Sequence, residues 1–294
     1  MNQSKLFQPF WLALAGILAL LSAPVLAQSG GDKVGFTTLS YAGRLPALAA
    51  RADKEFLIYQ FRINYQASKE PLLATVQEFD QVMTLLRRGS PISGVAKPPN
   101  KEVRDALSEV EGVWKDLKRV YTFNSVQVRR AKDLLPPPER LRDPFLVHFV
   151  DDMSAQLIES LDGLFKLYQA ACPAECVAAG TELIRQQYTL SETMTKDVLF
   201  IVLGLQEGDH EESLTLARNG FERTLMQMGR DAGADLAASV EATTGTWRQF
   251  RTNVDMALGG DVDAVDVSFL LRIQERMIEN IDESAQFFAT PTGE

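Results

Sequence analysis

Residues 45–63, LPALAARADKEFLIYQFRI, decide the fold class, because their apolar side chains recur at steps of three and four. This spacing predicts an amphipathic α-helix that packs through one face. Residues 190–205, LSETMTKDVLFIVLGL, repeat the pattern. The two apolar stripes consist of Leu45, Leu48, Ala52, Phe56, Tyr59 and Ile63, and of Leu190, Met194, Val198, Ile201 and Leu205.

The two stretches belong to a longer internal repeat, whose halves align at offsets of 142, then 133, then 120 positions. The offset falls only across the proline-rich stretches 90–100 and 134–138, where a helix cannot continue. The sequence therefore predicts an all-α fold of two tandem four-helix, up-and-down bundle units related by duplication, residues 36–170 and 178–289. The aligned pairs include Leu48–Leu190, Lys54–Lys196, Phe79–Phe221, Trp114–Trp247 and Phe149–Phe269.

Glycine and tryptophan positions support the same division. Gly89 and Gly229 predict the end of the second helix in each unit, since glycine commonly follows the last helical turn. Trp114 and Trp247 are interpreted as matching residues of the two bundle cores.

The N-terminus resembles an export signal. Lys5 precedes an apolar run from Phe10 to Leu21, and Val25-Leu26-Ala27 resembles a cleavage site. This order predicts a secretory signal peptide, residues 1–27, and a periplasmic protein. The alternative is an uncleaved membrane anchor, although the run is shorter than the roughly 20 residues that span a bilayer.

Charge restricts the partners of the exported chain. Removal of Lys5 with the signal peptide changes the formal net charge from −9 to −10. An acidic surface repels phosphate backbones, so nucleic acid is not an expected partner.

The cysteine and histidine content argues against common cofactor sites. Cys172 and Cys176 can form a local disulfide in an oxidising compartment, and two reduced thiols are the alternative. With only two histidines, His148 and His210, we expect neither a histidine-rich metal site nor any cofactor.

No catalytic residues are predicted. His148 is interpreted as a partly buried structural residue, and His210 as a solvated residue in the first turn of a helix that Asp209 caps. Neither belongs to a recognisable nucleophile–base arrangement, so we expect that the protein is not an enzyme.

Arg44 and Arg51 are candidate ligand-binding residues. They lie seven positions apart, close to one face of the first helix, and a guanidinium group can bind an anion through its forked donors. The alternative is a pair of ordinary salt-bridged surface arginines.

The stretch 39–55, LSYAGRLPALAARADKE, together with 190–197, LSETMTKD, carries a family resemblance. It resembles the N-terminal sensor domain shared by type IV pili methyl-accepting chemotaxis transducers and NarX-like nitrate/nitrite kinases. The resemblance implies a periplasmic four-helix sensor bundle. In the nitrate-sensing members, a Gly and an Arg three residues later on the first helix form an anion site at a dimer interface.

Both units depart from that Gly–Arg pair. Gly43 matches the glycine, but Pro46 stands at the arginine position, and the second unit has Arg185 and Tyr188. The expected ligand-binding residues are Gly43, which matches the glycine of the pair, and the two candidate arginines Arg44 and Arg51.

The predicted function is that of an exported, sensor-like module. It would bind a small ligand, such as an anion or metabolite, and act through a partner, such as a membrane receptor or another envelope protein. The alternative is a ligand-free helical scaffold of the cell envelope. The oligomeric state stays open at this stage.

Overall fold

The computed structural model describes residues 34–61, 63, 69–130, 144–173, 179–205, 207–231 and 234–289. The predicted signal peptide, residues 1–27, lies outside these ranges. The described residues form eight α-helices and a 3-10 turn at Val262–Ala264, with no strand beyond an isolated bridge between Ser90 and Val95. The all-α prediction is confirmed. The helices are α1 Phe36–Gln60, α2 Lys69–Arg88, α3 Lys101–Arg130, α4 Pro144–Ala171, α5 Ala179–Val202, α6 Glu207–Asp231, α7 Ala234–Leu258 and α8 Val267–Ala289.

Local chemistry explains several helix ends. Asn100 and Asp266 precede α3 and α8, and each side chain accepts a hydrogen bond from a backbone N–H three residues later. Gly89 follows α2 with φ of 69°, as predicted. The predicted end at Gly229 is wrong, because α6 continues through it to Asp231.

The helices pack as a helical bundle in which each group of four forms a closed ring of neighbours. In the first helix group, α1–α4, both α1 and α3 contact α2 and α4. In the second helix group, α5–α8, both α5 and α7 contact α6 and α8. Each group surrounds its own cluster of buried apolar side chains.

The groups meet through their first helices. α1 and α5 run side by side, and residue 43 lies beside 185 while 51 lies beside 192. The two helices are therefore parallel, and the residues that face each other are 142 positions apart for Gly43 and Arg185 and 141 positions apart for Arg51 and Glu192. Leu199 and Phe200 of α5 belong to the first group's apolar core, so the contact is part of the core itself.

Positions that the sequence alignment pairs make similar contacts in the two helix groups. Phe79 stacks on Trp114 with ring centroids 3.8 Å apart, and Phe221 packs on Trp247 at 4.7 Å. Both tryptophans are buried, as predicted. The ion pairs repeat as well, Asp80 with Lys118 and Glu222 with Arg251.

None of the helices that the structure describes has both the length and the apolar character needed to span a membrane. The predicted signal segment is outside the region to which this finding applies.

Two leucines of α6 test the packing. Leu214 is fully buried, whereas Leu216 is 64% exposed. We expect Leu214→Ala to lower the free energy of unfolding by about 2–5 kcal/mol, because it leaves a cavity in the second core. Leu216→Ala is the matched control and is expected to change it by no more than about 0.5 kcal/mol. Urea unfolding followed by circular dichroism measures both, and equal effects would contradict the arrangement of α6.

Candidate functional site

The predicted glycine lies at the contact between α1 and α5. A side-chain carbon added at Gly43 would lie 3.2 Å from Phe165 Cε2 and 3.3 Å from Arg185 Cδ. These distances are tight, so a larger residue at position 43 would push Arg185 or Phe165 away from α1. The space over Gly43 is thus filled from within the chain.

Arg185 is held by carboxylates from both helix groups. Its Nε and Nη2 donate to Glu182 of the same helix, each at 2.8 Å. Its Nη1 donates to Asp162 of α4 at 2.6 Å. The guanidinium also lies over the Phe165 ring, 4.7 Å from its centroid. Every nitrogen of this buried guanidinium therefore has a carboxylate partner.

The candidate arginines Arg44 and Arg51 also contact carboxylates. Arg44 donates through Nη2 to Glu78 of α2, and Arg51 donates through Nε to Glu192 of α5 at 2.8 Å. Their side chains remain 38% and 28% exposed. Each of these bonds uses one nitrogen of its guanidinium group.

Glu192 is the centre of the first buried polar group, the Glu192 cluster of Arg51, Lys54, Glu192 and Gln274. Its carboxylate is 1% exposed and receives Arg51 on one oxygen and Lys54, at 2.6 Å, on the other. Lys54 also donates to Gln274 of α8 at 3.1 Å. Burial opposes ionisation of Glu192, but the two cations outweigh it and lower its pKa.

A second buried polar group, the His210 cluster, joins α1, α4, α5 and α6. It consists of Asp53, Asp151, Lys196, Asp197 and His210. Lys196 Nζ lies 2.5 Å from Asp151 Oδ1, 3.5 Å from Asp197 Oδ1 and 3.8 Å from Asp53 Oδ2. The ammonium therefore ties α5 to both α1 and α4.

The prediction that His210 is solvated is wrong. α6 begins at Glu207, so Asp209 lies within its first turn, and the His210 ring turns inward to stack on Phe200 with centroids 3.8 Å apart. His210 Nδ1 lies 2.9 Å from Asp197 and Nε2 lies 3.4 Å from Asp151. Acidic partners on two other helices, Asp197 on α5 and Asp151 on α4, hold the ring in the interior.

The His210 cluster holds groups with strongly shifted pKa values. Burial disfavours the charged imidazole, but Asp151 and Asp197 outweigh it and raise the pKa of His210 to about 9. Burial raises the pKa of Asp53 to about 7, and the nearby charge of Lys196 offsets this rise only in part. The pKa of Asp151 falls to about 2, because His210 and Lys196 outweigh its burial.

The other residues singled out by sequence stand apart from these clusters. His148 is partly exposed on α4, as predicted. The pairing of Cys172 with Cys176 stays a prediction, because Cys176 lies outside the described residues. Within the described ranges, no three His, Cys, Asp or Glu side chains are placed to hold a metal ion.

Two surface grooves occur away from the arginines. One of about 480 Å³ is lined by Leu190, Leu216 and neighbours on α5 and α6, and one of about 320 Å³ by Met256, Phe269 and neighbours around α7 and α8. Neither of these two grooves is lined by Gly43, Arg44 or Arg51.

Comparison with known proteins finds no matching family model, no matching curated protein and no matching solved structure.

Sequence reasoning missed the two buried clusters. A signal was present, since Lys54 and Lys196 occupy aligned positions in the two helices that the apolar stripes predict. A lysine at such a position predicts a buried acidic partner. It does not identify that partner, because Glu192 and Asp151 lie on other helices.

The Glu192 cluster gives a direct test. Glu192→Gln removes the carboxylate from two largely buried cations and is expected to cost about 3–5 kcal/mol of unfolding free energy, as for a broken buried pair. Glu111→Gln is the matched control, because the Arg87–Glu111 pair is exposed and should contribute no more than about 1 kcal/mol. Equal urea midpoints for the two variants would contradict the role of Glu192.

The pKa shifts predict an unusual pH dependence of stability. Asp53, with an ordinary pKa of 3.8, holds its proton in the folded state up to about pH 7, so stability falls as pH rises through this window. His210, with an ordinary pKa of 6.5, contributes stability that is lost as pH rises towards about 9. Asp151 acts oppositely, and its contribution is lost only as pH falls from 3.8 towards about 2.

We therefore expect the free energy of unfolding to be greater at pH 4.5 than at pH 7, and greater at pH 7 than at pH 9. Urea unfolding at the three pH values measures this. Asp53→Asn mimics the protonated carboxyl and should reduce the decline between pH 4.5 and 7; part of that decline should remain, because burial also raises the pKa of Glu55 to about 7. His210→Gln should reduce the decline between pH 7 and 9. A wild-type stability that rises from pH 4.5 to 7 would contradict the assignment.

Proposed function

We propose that the protein is an exported, sensor-like module that binds a small ligand at the Arg44–Arg51 surface and acts through a partner protein. The observation that carries the proposal is the partial exposure of these two arginines and the small number of their nitrogens that are bonded. Both lie on α1 beside the interface with α5, both remain partly exposed, and each uses only one guanidinium nitrogen in its ion pair. A guanidinium with spare donors at a partly open surface suits carboxylate, nitrate or other small oxyanion groups.

The proposal includes an architecture of two duplicated four-helix units. The repeated Phe–Trp contacts and the repeated acid–base pairs between the second and third helices support it. In this arrangement α1 and α5 are equivalent helices, and their parallel contact has the form of a symmetric dimer interface contained in one chain. A ligand on α1 would act on the Glu192 cluster, because Arg51 belongs to both.

The carboxylates beside the arginines influence ligand choice. Glu78 and Glu192 compete with a simple anion for the guanidinium groups. A ligand that carries both an anionic and a cationic group, such as an amino acid, satisfies the acids and the arginines together. This surface therefore favours zwitterionic metabolites over nitrate.

A ligand-free scaffold of the cell envelope is the second candidate. It is supported by the internal filling of the space over Gly43, where Arg185 is already satisfied by Glu182 and Asp162. Such a protein would act through surface contacts alone.

Calorimetric titration distinguishes the two candidates. We expect the purified protein to bind at least one compound from a panel of nitrate, nitrite, small carboxylates and amino acids. Arg44→Ala and Arg51→Ala should each weaken that binding at least tenfold, because each removes a forked donor. Arg218→Ala is the matched control, since its ion pair with Asp255 lies on α6 and α7. Absence of binding across the panel, or binding that survives both substitutions, would contradict the ligand site and favour the scaffold.

A further inference from the structure

We propose that Arg185 and its socket decide which helix α1 pairs with, so that the chain closes on itself as a monomer. The socket, formed by Gly43, Asp162 and Phe165, belongs to the first helix group, whereas Arg185 belongs to the second. The proposal rests on the duplicated architecture proposed above, but it does not depend on any ligand.

The socket suits a guanidinium group. Gly43 admits the aliphatic part of the side chain against α1, the Phe165 ring lies under the planar cation, and Asp162 accepts from Nη1 at 2.6 Å. Glu182, one turn earlier on α5, holds the other two nitrogens and fixes the side chain in this position. Lysine has a single charged centre and cannot make this set of contacts.

Pairing of α1 with α1 of a second copy loses these contacts. Gly43 and Arg185 occupy equivalent positions, so Gly43 of a second copy would stand where Arg185 lies. The socket would then be empty and Asp162 would lose its cation. Ala50 is the position equivalent to Glu192, so the buried acid opposite Arg51 would be missing as well.

Pairing of α5 with α5 of a second copy is also unfavourable. Arg185 would meet another Arg185 instead of a glycine, which brings like charges together where a side chain has no room. Only the α1–α5 pair places a glycine opposite the arginine and an acid opposite Arg51. Buried ion pairs add little net stability, but a buried charge without a partner is costly, so the contacts act mainly by penalising the wrong pairs.

Sedimentation velocity over a hundredfold range of protein concentration tests the pairing. We expect the wild-type protein to sediment as a species of one chain throughout. Arg185→Ala should self-associate as concentration rises and unfold at lower urea, because α1 no longer distinguishes its partner. Arg218→Ala is the control for loss of a partly buried arginine. Gly43→Ala crowds Arg185 and is expected to act in the same direction as Arg185→Ala but more weakly; Gly163→Ala is its control, since an added carbon at Gly163 meets nothing within 4 Å.

Chemical rescue makes the test specific for the socket. Ethylguanidinium at millimolar concentration should restore the monomer and the urea midpoint of Arg185→Ala, whereas ethylammonium should not.

If Arg185→Ala fails to fold by circular dichroism, Arg185→Lys replaces it and is expected to self-associate partially. A wild-type dimer, an Arg185→Lys protein indistinguishable from wild type, or equal behaviour of the Arg185 and Arg218 alanine variants would overturn the proposal. Since these readouts contain no ligand, their failure is separable from failure of the ligand site.

Discussion

The burial of Glu192 between Arg51 and Lys54 is the constraint on which the contact between the two helix groups depends. The carboxylate is almost fully removed from water, and both cations come from the other group. A carboxylate in this position is tolerated only while both partners stay in place. The interface between α1 and α5 is therefore defined in register, because a slip of either helix would leave buried charge without a partner.

Other charged contacts constrain the same interface between α1 and α5. Arg185 near one end and the His210 cluster near the other each join a charged residue of α5 to acids of the first group. Apolar packing supplies the attraction between the groups, as the insertion of Leu199 and Phe200 into the first core indicates. The charged contacts select one arrangement among those that apolar packing would permit. Their pKa values also link this arrangement to pH, which a purely apolar interface would not do.

Much of the fold could be predicted from sequence because helix periodicity is local. The stripes in 45–63 and 190–205 predicted helices, and α1 and α5 cover most of both stretches. Gly89 ended a helix as predicted, since its left-handed conformation is a property of one residue. Gly229 did not, because a glycine within a well-packed helix is tolerated at modest cost. The candidate site was only partly predictable: Gly43, Arg44 and Arg51 were identified, but Arg185, Glu192 and His210 were not.

The sequence by itself determined that this chain is helical and where its apolar faces lie. The tertiary structure decided which charges meet. Glu192 reaches Arg51 across 141 positions and Lys196 reaches Asp151 across 45, so neither pair follows from helical spacing. The burial of His210 does not follow from helical spacing either, since it depends on acids of α4 and α5 and not on the acidic residues next to His210 in sequence. Periodicity acts within one helix, whereas ion pairing and desolvation depend on how helices are placed around each other.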